Sequence, residues 1–212
     1  MRAAYAAQEL ATQRLLHERG IHGSFELFLR AFKEEQVLEV WGRERGTRQF
    51  MQLTVYPFCA TSGTLGPKRK EGDLQIPEGV YHIQHFNPSS NFYLSLGINY
   101  PNLSDKKRGD ALRPGSDIYL HGGCATIGCI PITDEKIKQL YLLAVEAREA
   151  GQLQIPVHIF PARLHEEKLQ QLASAFPQHL SFWRNLQVVY ADFEKTKTLR
   201  SVSINNTGDY YF

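Results

Sequence analysis

Apolar positions recur along the chain with two periods. Through residues 1–20, MRAAYAAQELATQRLLHERG, the good helix formers Ala, Gln, Leu, Glu and Arg dominate, and Gly20 and Gly23 supply a stop. A helix is predicted there, and its poor apolar face places it at the periphery. From Glu26 the pattern changes. Val37, Leu38, Val40 and Trp41, then Phe50, Leu53, Val55 and Phe58, flank the polar residues 42–47, which predicts two strands with a hairpin-like connection. Gly, Pro and Lys make a loop through Glu71. Residues 79–86 then alternate, with Val80, His82, Gln84 and Phe86 on one side and Tyr81, Ile83 and His85 on the other. Asn87-Pro88-Ser89-Ser90-Asn91 reads as a turn and residues 92–96 as another short strand.

Further on, Asp117-Ile118-Tyr119-Leu120 forms a short predicted strand that runs into His121-Gly122-Gly123. Thr133-Asp134-Glu135 supplies an N-cap and an acidic first turn for a helix whose Ile137, Leu140, Tyr141, Ala144, Val145 and Ala147 share a face, with Gly151 at its end. Residues 155–160 are a last core strand. After Pro161 two helical stretches follow, one with Leu169, Leu172 and Phe176, the other with Phe182, Trp183, Leu186, Tyr190 and Phe193. Their aromatic stripes read as core packing. Residues 202–212, with Asn205-Asn206-Thr207-Gly208 at the centre, read as a hairpin. The class is α+β, predominantly β, built as a sandwich or partly closed barrel with a helix beside the Gly-rich turn.

Composition narrows the function. A chain of 212 residues with 42% hydrophobic and 22% charged residues can bury a sizeable core. A net charge of +2 is too near neutrality for a polyanion-binding surface, so nucleic acid is not an expected partner. The longest apolar runs are about five residues where a membrane span needs roughly 20. The first 20 residues lack the apolar run of a secretory signal, leaving a cytosolic protein or a removed signal as the two readings. Cys59, Cys124 and Cys129 are too few for a disulfide framework and leave at least one thiol free.

Candidate chemistry concentrates in IYLHGGCATIGCIPITDEKI, where His121 and Cys129 lie eight residues apart on a Gly-rich turn between strand and helix. A thiol becomes a nucleophile as the thiolate, and a nearby imidazole can take its proton. Gly128 lets the backbone approach a substrate, and N–H groups beside it can hold a developing oxyanion. Three other readings stay open at this level. Cys129 and His121 can be inert core residues. His121, Cys124 and Cys129 can bind zinc, although the usual ligand spacings are absent. Cys59, inside a predicted strand, and Cys124 read as buried thiols, with a bridge between them left open because sequence does not give their separation.

Over roughly residues 25–161 the chain resembles the YkuD-type L,D-transpeptidase family, and more closely its YafK-like murein branch. His121-Gly122 and Thr126-Ile127-Gly128-Cys129 match the family's HG pair and S-x-G-C turn. FKEEQVLEVW, TSGTLGPKRKEGDLQIPEG, LSLGINYPN and the strand IPVHIF match further segments in the same order. The commoner family form, Ser-His-Gly-Cys with an Arg two residues after the Cys, is replaced here by Thr126 and Ile127 before Gly128-Cys129 and by Pro131 after them.

The resemblance implies Cys129 as nucleophile and His121 as general base. The Gly122 carbonyl would orient the imidazole, and the N–H groups of Gly128 and Cys129 would form the oxyanion hole. Thr126 would shape the turn, and Ser62, Lys68, Asp73 and Glu78 would contact substrate. The implied substrate is a peptidoglycan stem peptide and the implied location the periplasm or cell envelope, with a signal removed, without cofactor or metal. The implied activity is acyl transfer to an amine, with a murein hydrolase or a non-catalytic wall-binding module as alternatives. Residues 1–24 would be an N-terminal helix, 25–162 the catalytic domain, and 163–212 an extension of helices and hairpin that either shapes an acceptor cleft or, as the favoured reading, covers a sheet edge. Cys59→Ala would leave turnover nearly unchanged.

Overall fold

The stretch FELFLRAF forms a strand of its own, β1 (Phe25–Phe32), where the apolar pattern predicts strands only from Val37. The reason is physical: in the computed structural model, which describes residues 2–212 with side chains from residue 8 onward, nearly every residue of β1 is buried, so no alternation marks it. It pairs with β2 (Val37–Glu44), which pairs with β3 (Met51–Pro57), both antiparallel. On its other side β1 lies parallel to β8 (Pro156–Phe160). Beyond β8 come β4 (Gly79–Ser90), β5 (Tyr93–Ile98), β6 (Tyr119–His121) and β7 (Ile130–Pro131), giving the order β3-β2-β1-β8-β4-β5-β6-β7.

The expected partly closed barrel is thus one curled sheet of eight strands. Helices cover it where a sandwich would place a second sheet. On one face α1 (Arg2–Glu18) packs on α3 (Asp134–Glu149), and α3 packs on β1 and β5. The core there joins Leu27, Leu29, Val157, Ile159, Leu140 and Leu143. Met1, where the predicted first helix begins, lies outside the described residues. That helix stops at Gly20, whose φ of +70° suits glycine. Among its described side chains only Thr12 and Leu16 are buried, in keeping with a peripheral position.

The opposite face is covered by α4 (Glu166–Ala175), α5 (Leu180–Thr196) and the hairpin β9 (Ser203–Ile204) with β10 (Tyr210–Tyr211). Phe32, Phe160, Leu169, Trp183, Leu186 and Tyr190 form its core. The extension therefore spreads over a sheet face, where the sequence predicts a covered edge. Arg30 anchors it from below: the fully buried guanidinium bonds Glu39 and Glu194 and lies 4.8 Å from the Phe193 ring centre.

Two local expectations shift. The turn after β4 is tighter than residues 87–91, because β4 continues to Ser90 through a register shift and Tyr93 takes φ +74° to open β5. A short helix, α2 (Leu103–Arg108), stands in a stretch to which the apolar pattern assigns no element, started by reciprocal bonds between the Asn102 and Asp105 side chains and backbones. No helix among the described residues is long and apolar enough to cross a membrane.

Candidate active site

The register of the sheet brings the two chemical residues together. β6 and β7 run parallel with Leu120 opposite Ile130 and His121 opposite Pro131, which sets Cys129 beside Tyr119. The Tyr119 N–H donates to Cys129 Sγ at 3.4 Å, and the thiol donates to the Asp117 carbonyl at 3.5 Å. His121 ends β6, with only 2% of its surface exposed, and the Phe92 ring lies against it, 4.6 Å between centres. Cys129 and His121 line one cavity of about 480 Å³, together with Asn87, Phe92, Asp117 and Thr126. Among the described residues no hydrogen bond joins Sγ directly to the imidazole, an arrangement common in sites that tighten when substrate binds.

Protonation follows from burial. The His121 Nδ1–H bonds the carbonyl of Gly122, which leaves Nε2 as the nitrogen able to accept a proton. Burial pushes the imidazole pKa below its ordinary 6.5, against the opposing effect of the Gly122 bond. Burial also pushes the Cys129 thiol above its ordinary 9.0; the Tyr119 N–H and the charge of Lys68 pull the other way, while Asp117 adds to the rise. At neutral pH the pair is therefore neutral thiol and neutral imidazole.

The turn between them is built to close tolerance. A side chain on Gly122 would meet Asp134 Oδ1 at 2.5 Å and the Phe92 carbonyl at 2.7 Å. Asp134, at the start of α3, accepts from the Gly123 N–H at 2.8 Å and so holds the peptide whose carbonyl orients His121. Thr133 stands at the helix N-cap as expected but makes no side-chain capping bond. Thr126 Oγ1 accepts from the Gly128 N–H at 3.1 Å and donates to the Cys129 carbonyl at 2.8 Å. The Gly128 N–H is thereby engaged within the turn, and the Cys129 N–H is the one of the two with no partner among the described residues. Gly128 has φ +139°, a conformation open to glycine.

Cys59 and Cys124 form a disulfide, Cα–Cα 5.3 Å, which corrects the reading of both as buried free thiols. Cys129 is the free cysteine. The bridge also takes Cys124 out of the zinc set that sequence left open, since a disulfide sulfur is no thiolate ligand. It ties the turn to the end of β3, beside the bond from the Cys59 N–H to the Pro131 carbonyl at 3.0 Å.

The four residues read as substrate contacts from the loop between β3 and β4 are bound within the protein and do not line the cavity. Ser62 donates to the Leu74 carbonyl. Lys68, 4% exposed, pairs with Asp73 at 2.6 Å, and Asp73 also accepts three backbone N–H bonds that hold its pKa low against the effect of burial. Glu78 is fully buried, receiving bonds from Lys33 Nζ, the Gly66 N–H and Trp183 Nε1. These side chains shape the loop. Conversely, Phe92, Asp117 and Asn87 line the cavity without having been singled out. Asn87 lies in a segment read as a turn, and Asp117 shows itself only through its φ of +59° just before β6.

The comparisons with known proteins agree with this geometry. The family model for the YkuD L,D-transpeptidase catalytic domain matches residues 29–159. The Escherichia coli (strain K12) protein named "Putative L,D-transpeptidase YafK" is 31% identical over 182 residues, covering 85% of this chain and 71% of that protein. Among solved structures, the helical cell shape determining protein Pgp2 from Campylobacter jejuni shares the fold in two crystal structures. One has a TM-score of 0.52 at 17% identity, over 91% of this chain and 80% of that one; the other, of a variant, has 0.52 at 21% identity, over 86% and 67%. With the family model spanning both His121 and Cys129, the chain belongs to the YkuD family of L,D-transpeptidase-like, peptidoglycan-modifying enzymes.

Proposed function

We propose that the protein is a cysteine-dependent acyltransferase acting on peptidoglycan stem peptides. The observation that carries this is the free Cys129 thiol sharing a cavity with a buried imidazole whose tautomer the Gly122 carbonyl sets. A wall-binding module needs neither group.

In this reading Sγ attacks the carbonyl carbon at the L-centre of a diamino acid while His121 Nε2 takes its proton. The carbonyl oxygen becomes an oxyanion, held by the free Cys129 N–H. As the C–N bond to the following D-residue breaks, His121 returns the proton to the leaving amine, and the acyl group stays on Sγ as a thioester. An amine from a neighbouring stem then attacks that thioester, gives its proton to His121, and leaves as a new amide while the thiol is restored. Water in place of the amine gives hydrolysis with the same two residues. Asp134 and Thr126 act as positioning residues, the first on the Gly122–Gly123 peptide, the second on the turn before Cys129.

Such a substrate places the protein in the cell envelope. The Cys59–Cys124 bridge supports that placement, since structural disulfides persist in oxidising compartments.

The test is mass spectrometry of tetrapeptide muropeptides and cross-linked dimers after incubation with the wild type and with Cys129→Ala. New dimers joined between diamino acids, made by the wild type alone, are the expected result. Tripeptides or cleaved dimers would make hydrolysis the reaction, and a mixture unchanged by the wild type would overturn the reading.

A further inference from the structure

On the sheet face opposite α3 lies a second cavity, a groove of about 910 Å³ that shares no lining residue with the catalytic one. Its floor comes from the outward positions of β4 and β8. Tyr81 and Ile83 point into the main core, so alternation turns His82 and Gln84 outward, and His158 lies beside them on β8. The segment between α5 and β9 forms a wall through Ser201, and Gln154 stands where the chain enters β8.

His158 is 4% exposed, and its Nδ1 is buried without a hydrogen-bond partner. That atom is closed to solvent, so His158 contributes a polar floor to the groove and the groups able to reach a ligand are the more exposed ones around it. The side chains of Gln84, Gln154, His82 and Ser201 also make no hydrogen bond among the described residues. They are carboxamides, an imidazole and a hydroxyl, groups that both donate and accept.

That chemistry selects the ligand. An anion would call for free cations, yet Arg43 is paired with Glu26 at 2.5 Å and Arg200 with Asp192 at 3.2 Å, leaving Lys106 at the rim. An apolar ligand would strand the carboxamides of Gln84 and Gln154. Sugar hydroxyl and acetamido groups, which likewise donate and accept, complement the groove.

We propose that this groove binds a saccharide chain. Its identification with the glycan of the cell wall rests on the acyltransferase reading above; the ligand class does not. β4 links the two places: Gln84 lies in the groove and Asn87 in the catalytic cavity, three residues or ~10 Å apart along the strand. A glycan held on the reverse face would thus keep its own stem peptides within reach of Cys129.

The probe is the tetramer of N-acetylglucosamine, titrated into the 212-residue protein and followed by NMR at the Gln84 and Gln154 side-chain amides and the His82 ring. Saturable shifts there, at least tenfold weaker binding in the Gln84→Ala, Gln154→Ala double variant, and unchanged binding in Cys129→Ala are expected. Both glutamines are exposed, so the double variant tests contact without disturbing the core. The double variant should also lose at least fivefold in turnover of intact sacculi while keeping its turnover of soluble muropeptides. No shifts, shifts confined to the Cys129 cavity, or equal affinity in the double variant would overturn the proposal. Groove binding by a protein that turns over neither substrate would support the saccharide site and sink the acyltransferase reading instead.

Discussion

At the scale of the residue, burial decides how the cysteine works. A thiol raised above 9.0 beside an imidazole lowered below 6.5 is uncharged through the neutral range, so in the proposed reaction activation requires His121 in its neutral, accepting form. The sign follows: as pH falls through the His121 pKa the base is protonated and activity is lost, so the acid limb of kcat/KM should have its midpoint below 6.5. Alkylation of Cys129 by iodoacetamide should keep rising beyond pH 9. A plateau near neutrality would show a preformed thiolate and contradict this. The neighbouring glycine is equally constrained. Gly128→Ala places a Cβ 3.1 Å from the Gln75 carbonyl at φ +139°, a strain of about 1–3 kcal/mol. Shifting the turn to relieve it moves Sγ, so turnover should fall by about 10–100-fold with a lowered unfolding temperature. Both residues were legible from HGG and IGC in the sequence. The partner of each backbone N–H was not, because that depends on the path of the turn in space.

At the scale of the element, the disulfide changes an expectation. Sequence alone treats Cys59 as a residue of a strand interior, replaceable with little effect on turnover, and says nothing of stability. The structure ends β3 before Cys59 and uses the sulfur to tether the turn that carries Cys129. Closing a loop of 65 residues stabilises the folded state by about 4 kcal/mol in the chain-entropy account. Cys59→Ala should therefore lower the urea midpoint, and dithiothreitol should lower the wild type's midpoint while leaving the variant's unchanged. Equal response of the two proteins to reductant would mean that the bridge contributes nothing. Among elements, α3 and the hairpin near the C-terminus could be read from periodicity and caps. β1 escaped, since a strand buried on both faces shows no alternation, and α2 escaped because six residues give no period.

At the scale of the whole molecule, the extension and the loop between β3 and β4 form one assembly. Trp183 Nε1 donates to the buried Glu78, which also holds Lys33 and the Gly66 N–H, so α5 braces this loop from behind. Trp183→Phe keeps an aromatic body and removes that bond to a charged group. A loss of about 2 kcal/mol in unfolding free energy is expected, measured by urea denaturation. An unchanged midpoint would show the loop to be held without the helix. The same layer of structure turned Lys68, Asp73 and Glu78 from candidate substrate contacts into internal partners.

The sequence by itself determined the strand and helix segments whose apolar positions repeat, the family, and the Cys129 and His121 pair proposed as nucleophile and base, because periodicity and a short motif are local properties of the chain. Only the tertiary structure decided the eight-strand order, the Cys59–Cys124 pairing, the resting protonation of Cys129 and His121, and the groove behind β4. Each of these depends on which distant residues exclude water from a group or face it across a strand, and no spacing along the chain encodes that.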